Sequence, residues 1–166
     1  MAHPTSEHQI FAYGSNMHLP DLRRWLEEHG ENPDGILRSE PATLRGWRIA
    51  WNYFSRKRNG GAANIVRAIG HILPGVVVSV DRPTLEAIDY KEGHPQYYDR
   101  GKRRLRVRLA SGTDILAWTY IARREHWQRE LVQPRRAYLD LLIEAARSHK
   151  LDPDHIAALE ATPTVD

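Results

Sequence analysis

No cysteine occurs among the 166 residues. Disulfides, thiol nucleophiles and cysteine-held zinc or iron–sulfur centres are therefore excluded, and the usage suits a reducing, cytoplasmic compartment. No apolar run approaches the roughly 18–20 residues of a membrane-spanning helix, so no membrane partner is expected. The opening Met-Ala-His-Pro-Thr-Ser-Glu has no basic stretch followed by an apolar one, and no secretory leader is read there. Gly-x-Ser-x-Gly elbows, phosphate-binding loops and dinucleotide-type glycine patterns are absent. The nine histidines show no paired-ligand spacing, and His18, His71, His94 and His126 read as surface or loop residues. No metal and no cofactor is expected, so any chemistry must run without thiol, metal or phosphate loop. The charge excess is small, 24 basic against 21 acidic side chains, which is no signature of nucleic-acid binding.

What is present fits one domain over 1–166, with tails at about 1–8 and 161–166, and there is no internal repeat. Gln9–Met17 is a short apolar run that breaks into Gly14-Ser15-Asn16, and a helical pattern follows from Leu19. Strand, tight loop and helix in that order present free backbone N–H groups where an anion is favoured. Gly14 permits close approach of a ligand, and Ser15 and Asn16 add side-chain donors and acceptors.

Strand patterns cover Ala42–Trp51, Ala63–Ile69 and Gly75–Val80, with Ser55–Gly61 as a charged loop between the first two. Asp81 and Pro83 open a short helix with Leu85 and Ile88 inward, and Gly93 ends it. Arg103–Leu109 alternates strictly, and Ser111–Asp114 turns it into Ile115–Ile121 as a hairpin. Pro134 opens a helix with Tyr138, Leu139, Leu142, Ile143 and Ala146 on one stripe, and Asp152-Pro153 starts a last one with Ile156 and Leu159 inward. Five tryptophans, at 25, 47, 51, 118 and 127, read as core packing. The absence of a βαβ rhythm argues against a parallel doubly wound sheet, and the pattern predicts an α+β fold: a mixed, mostly antiparallel, curved sheet with helices outside.

Glu92 stands at the C-terminal end of a short helix, directly before Gly93. A helix C-terminus carries partial negative charge, so a carboxyl there is disposed to hold and pass on a proton. The plain alternative is a solvated carboxylate paired with its neighbour Lys91.

Together these stretches resemble the γ-glutamylcyclotransferase-like superfamily, which includes the plant AIG2-like proteins. The resemblance starts at Phe11-Ala12-Tyr13-Gly14-Ser15-Asn16-Met17 and continues through Pro41–Leu44, Gly60–Ile65 and Pro74-Gly75-Val76. It then takes in Leu85…Asp89…Glu92-Gly93 with Tyr97-Tyr98, and closes with Pro134…Tyr138 and the terminal helices. It implies a barrel-like β-structure with peripheral helices. It also implies a cofactor-independent enzyme that cyclises a γ-glutamyl amine or amino acid to 5-oxoproline and frees the amine. By the same resemblance Glu92 is the catalytic acid/base. Tyr13, Gly14, Ser15, Asn16 and Met17 form the glutamyl loop, and Tyr98 (or Tyr97) and Tyr138 line the pocket. His94-Pro95-Gln96 depart from the apolar and small residues of the member acting on γ-glutamyl amino acids, so the leaving amine stays open; these residues and Ser55–Gly61 are candidate specificity elements.

Two other readings compete: a catalytically silent member that binds a small carboxylated ligand, and a binding module using the basic face of Arg100–Arg108. Alternation favours a solvated outer face for those arginines, because charge along an exposed strand discourages edge-to-edge association. The expected partner is a small γ-glutamyl molecule rather than nucleic acid; oligomeric state is not readable from the sequence.

Overall fold

The computed structural model describes residues 6–166. The first five residues, which belong to the expected tail and to the stretch read for a leader, lie outside the described residues. Strand β1 (His8–Ala12) already begins within that expected tail. Helix α1 (Leu19–Glu28) follows a short helical turn at Ser15–Met17. Two long strands, β2 (Ile36–Ser55) and β3 (Gly60–Val80), then form the antiparallel backbone of the molecule. Helix α2 (Arg82–Glu92), β4 (Tyr98–Asp99), β5 (Leu105–Leu109), β6 (Asp114–Ala117) and β7 (Ile121–Ala122) come next, and α3 (Arg136–Ser148) and α4 (Pro153–Glu160) end the chain.

The main sheet has the order β1-β3-β2-β5-β6, all antiparallel, and β4 pairs with β7 in a second, two-stranded sheet. Curvature brings the far edges together: Phe11 N–H donates to the Trp118 carbonyl and Trp118 N–H to that of Gln9, both at 2.8 Å. That contact is one isolated bridge at Ile10, so the sheet is barrel-like without closing.

The expected strands at Ala63–Ile69 and Gly75–Val80 are one continuous strand, because Thr43–Arg45 keep pairing with Ile72–Pro74 across the apparent break. Gly70 and Pro74 read as breakers, yet Gly70 takes φ +82° at an irregularity in the ladder, where a missing Cβ is needed. Pro74 lies beyond the reach of β1, which pairs only with Val76–Val80, so one edge of β3 is open there and a missing N–H is tolerated. The charged loop contracts to a turn at residues 56–59, with Asn59 in the left-handed region. The expected hairpin strand Ile115–Ile121 divides after Ala117: Trp118 crosses to β1, and Ile121–Ala122 joins the second sheet. The outward arginines Arg104, Arg106 and Arg108 are exposed beside buried Val107, and Arg108 pairs with Asp114 at 2.9 Å.

Helix signals hold. Asp81 accepts the Thr84 N–H at 2.9 Å, Gly93 closes α2 at φ +66°, and the α3 stripe Tyr138, Leu139, Leu142, Ile143 and Ala146 is buried. The five tryptophans are half-buried packers against the core rather than its centre. Among the described residues no helix is long and apolar enough to cross a membrane.

Two polar ties hold the end of α2 and the second sheet in place. Buried Asn64 on β3 donates to Asn52 and accepts the Ala122 N–H, each at 2.9 Å, which fastens β7. Asp89 on α2 takes a two-pronged contact from Arg100 (2.8 and 3.0 Å) and a hydrogen bond from the Tyr120 hydroxyl (2.6 Å). Burial alone would raise the Asp89 pKa, but the Arg100 and Tyr120 hydrogen bonds outweigh it and hold the carboxyl below its usual value. A depressed carboxyl stabilises the fold above its unfolded pKa and loses that contribution as pH falls through the folded one. Asp89→Asn should therefore cost about 1–2 kcal/mol at pH 7, water at the pair's edge screening part of the interaction. In denaturant melts across pH, the gap from wild type should narrow below about pH 4; a gap independent of pH would refute this role for the charge.

Candidate active site

A cavity of about 840 Å³ opens between the β1 loop, the end of α2, the β2–β3 turn and the start of α3. Tyr13, Gly14, Ser15, Asn16, Glu92, Tyr98 and Tyr138 all line it, so four segments distant in sequence bring nearly every expected residue to one place. Met17 is the exception. It is fully buried in the core and does not reach the cavity; its apolar side chain anchors the loop from below, and its carbonyl is in contact with His149 Nε2 at 2.8 Å. Tyr97 and Tyr98 both line the cavity, in different ways. Tyr98 is buried in the wall, whereas Tyr97 is half exposed at the mouth and stacked on His126.

The wall is set by tyrosine hydroxyls bonded to backbone. Tyr98 Oη donates to the Ala63 carbonyl (2.7 Å) and Tyr138 Oη accepts the Ala63 N–H (2.9 Å), so one β3 residue fixes two rings. Tyr13 Oη donates to the Tyr120 carbonyl. An ideal Cβ on Gly14 would stand 3.4 Å from Tyr138 Oη, so a side chain there would press on the wall. Burial, with the Glu92 charge nearby, raises the pKa of Tyr13 and Tyr98 well above the ordinary value, and burial pushes Tyr138 up to about 12. These hydroxyls stay protonated at neutral pH and shape the cavity without acting as bases.

The loop backbone and the acid face each other. The N–H groups of Gly14, Ser15 and Asn16 have no backbone acceptor among the described residues, because the loop's own bonds begin at Met17. Opposite them, Asn16 Nδ2 donates to Glu92 Oε1 at 2.8 Å. The Glu92 side chain is only 16% exposed, which removes the solvated-surface alternative. Its second oxygen, Oε2, has no donor among the described residues, so it is available to a ligand. Lys91 Nζ donates to Asn16 Oδ1 at 2.8 Å. Only one orientation of the Asn16 amide satisfies both neighbours, oxygen toward the ammonium and nitrogen toward the carboxylate.

Sequence reasoning did not place Lys91, Tyr53 or Tyr120 at the site, although each lines the cavity; of the candidate specificity elements, Ser55–Arg58 line it and His94-Pro95-Gln96 do not. The signal for Lys91 was available: Lys91 and Glu92 sit one helical turn beyond buried Ala87 and Ile88, on the inward stripe. Nothing in the local pattern marks Tyr120, whose position depends on the chain leaving β6 early.

The profile of the family described as "Gamma-glutamyl cyclotransferase, AIG2-like" matches residues 10–140, a span that includes both the loop and Glu92. A Methanocaldococcus jannaschii protein, provisionally named a gamma-glutamylcyclotransferase, is 50% identical over 52 residues; the match spans 31% of this chain and 41% of that relative's own length. Among solved structures, one named gamma-glutamyl cyclotransferase superposes with a TM-score of 0.77 at 20% identity, over 97% of this chain and 90% of the other. A human protein described as uncharacterized gives a TM-score of 0.77 at 21% identity, over 96% and 90%. These structural likenesses are of fold. With the family match covering most of its length, the chain belongs to the gamma-glutamyl cyclotransferase, AIG2-like family.

Proposed function

We propose that this protein is a cofactor-independent γ-glutamylcyclotransferase that converts a γ-glutamyl amide to 5-oxoproline and a free amine. The observation that carries the reading is the Asn16–Glu92 contact across the cavity, which sets a carboxyl with one open oxygen against a loop of free N–H groups.

The nucleophile of this reaction belongs to the substrate. Its α-amine can close a five-membered ring on its own γ-carbonyl, and such intramolecular attack in a fixed geometry lowers the barrier by about 7–11 kcal/mol. Glu92 Oε2 takes a proton from the α-ammonium, and the freed amine attacks the γ-carbon. Charge develops on the carbonyl oxygen as the tetrahedral centre forms, and the Gly14–Asn16 N–H groups are placed to stabilise it. The proton held by Glu92 passes to the departing nitrogen and the C–N bond breaks; the second proton of the ring nitrogen passes through Glu92 to the freed amine, so that 5-oxoproline and the amine, as its ammonium, leave with Glu92 again ionised. Atoms balance without water, metal or redox partner. The tyrosine wall keeps the extended chain folded toward ring closure and limits water that would hydrolyse the amide instead.

Glu92→Gln keeps an acceptor for Asn16 but cannot shuttle the proton. With a panel of γ-glutamyl amines and amino acids, the wild type should release 5-oxoproline, and Glu92→Gln should lower kcat by about 10²–10⁴ while still binding the substrate. Turnover by Glu92→Gln at the wild-type rate would remove the assignment, and binding of the panel without any release would leave a silent ligand-binding member.

A further inference from the structure

Lys91 is a lysine where the pattern of α2 calls for an apolar residue. It follows Ala87 by one turn, as Glu92 follows Ile88, and both predecessors are buried. The Lys91 side chain is only 9% exposed. An ammonium in that position is costly unless something compensates it. An ammonium has three N–H donors, yet among the described residues its one side-chain acceptor is Asn16 Oδ1, at 2.8 Å.

Pairing with Glu92 accounts for it only in part. The two charges form an ion pair 3.9 Å apart, beyond hydrogen-bond length, and the Asn16 amide is bonded to each. Both charged ends line the same cavity. Burial depresses the Lys91 pKa, the Glu92 charge opposes that, and Arg58 adds to the depression, so an incoming negative charge would relieve the ammonium.

A γ-glutamyl substrate carries an ammonium and a carboxylate on one carbon. The cavity offers the complementary pair side by side, a carboxylate with one open oxygen and an ammonium with open donors, held apart by a neutral amide. Given the γ-glutamyl reading, on which this rests, we propose that the Lys91 ammonium binds the α-carboxylate of the glutamyl unit while Glu92 faces its α-ammonium. Two sequence neighbours then read both charges of the amino-acid end, and Lys91 makes the cavity selective for γ-glutamyl groups over acyl chains that lack the α-carboxylate.

The product gives a test free of turnover. 5-Oxoproline keeps the carboxylate and has no ammonium, and 5-oxoprolinamide is its neutral counterpart of nearly equal size. Calorimetric binding of both to wild type, Lys91→Met and Lys91→Arg, each checked for an unchanged thermal melt, separates charge recognition from shape. The wild type should prefer 5-oxoproline ten-fold or more. Lys91→Met should bring that ratio close to one, and Lys91→Arg should retain most of it. A ratio unchanged in Lys91→Met, an equal loss for both ligands, or no preference in the wild type would overturn the proposal. Failure of the γ-glutamyl panel to yield 5-oxoproline would instead count against the proposed reaction, whatever the binding ratio shows.

Discussion

One carboxamide holds this site together. Asn16 gives its nitrogen to Glu92 and its oxygen to Lys91, so a loop at the start of the chain is tied to a helix end 76 positions later. The arrangement keeps an anion and a cation 3.9 Å apart, an ion pair with no direct hydrogen bond between its partners. Each keeps hydrogen-bonding capacity that faces the cavity. If the amide were absent, the two side chains would be free to collapse into a directly hydrogen-bonded pair, and neither would be presented to a ligand.

The rest of the fold serves that contact. The β2–β3 ladder supplies a stiff frame, and Ala63 on β3 pins Tyr98 and Tyr138 through its own backbone groups. Because β1 is paired along Val76–Val80, the loop that follows it leaves the sheet at a fixed height. Buried Met17 and the His149 contact hold the far side of that loop. The α2 helix is fixed at its start by the Asp81 cap and near its end by the Asp89–Arg100 contact, which places Glu92 and Lys91 at the cavity. Rigid elements at both ends of the Asn16 bridge are what a proton-transfer geometry requires.

Local signals are legible in the sequence because their causes are local. The Asp81 cap, the Gly93 stop and the α3 stripe each depend on a few consecutive residues, and so did the alternation that put the β5 arginines outside. What depended on partners far away was not readable. Gly70 and Pro74 look like breaks until β2 is seen pairing past them, and Met17 belongs to a loop motif while its side chain belongs to the core. In the sequence Lys91 is a simple neighbour of Glu92; its meaning comes from Asn16, which no helical spacing connects to it. Glu92 is singled out in the sequence by resemblance and by its helix-end position; its contact with Asn16 depends on a loop 76 positions away.

The central claim is that the substrate's own amine, and not water, attacks the γ-carbonyl. Turnover of a γ-glutamyl amide in water enriched in oxygen-18, followed by mass spectrometry of the products, tests this most directly. Cyclisation predicts 5-oxoproline with no label above background. Glutamate carrying one labelled oxygen would mean hydrolysis and would contradict the account.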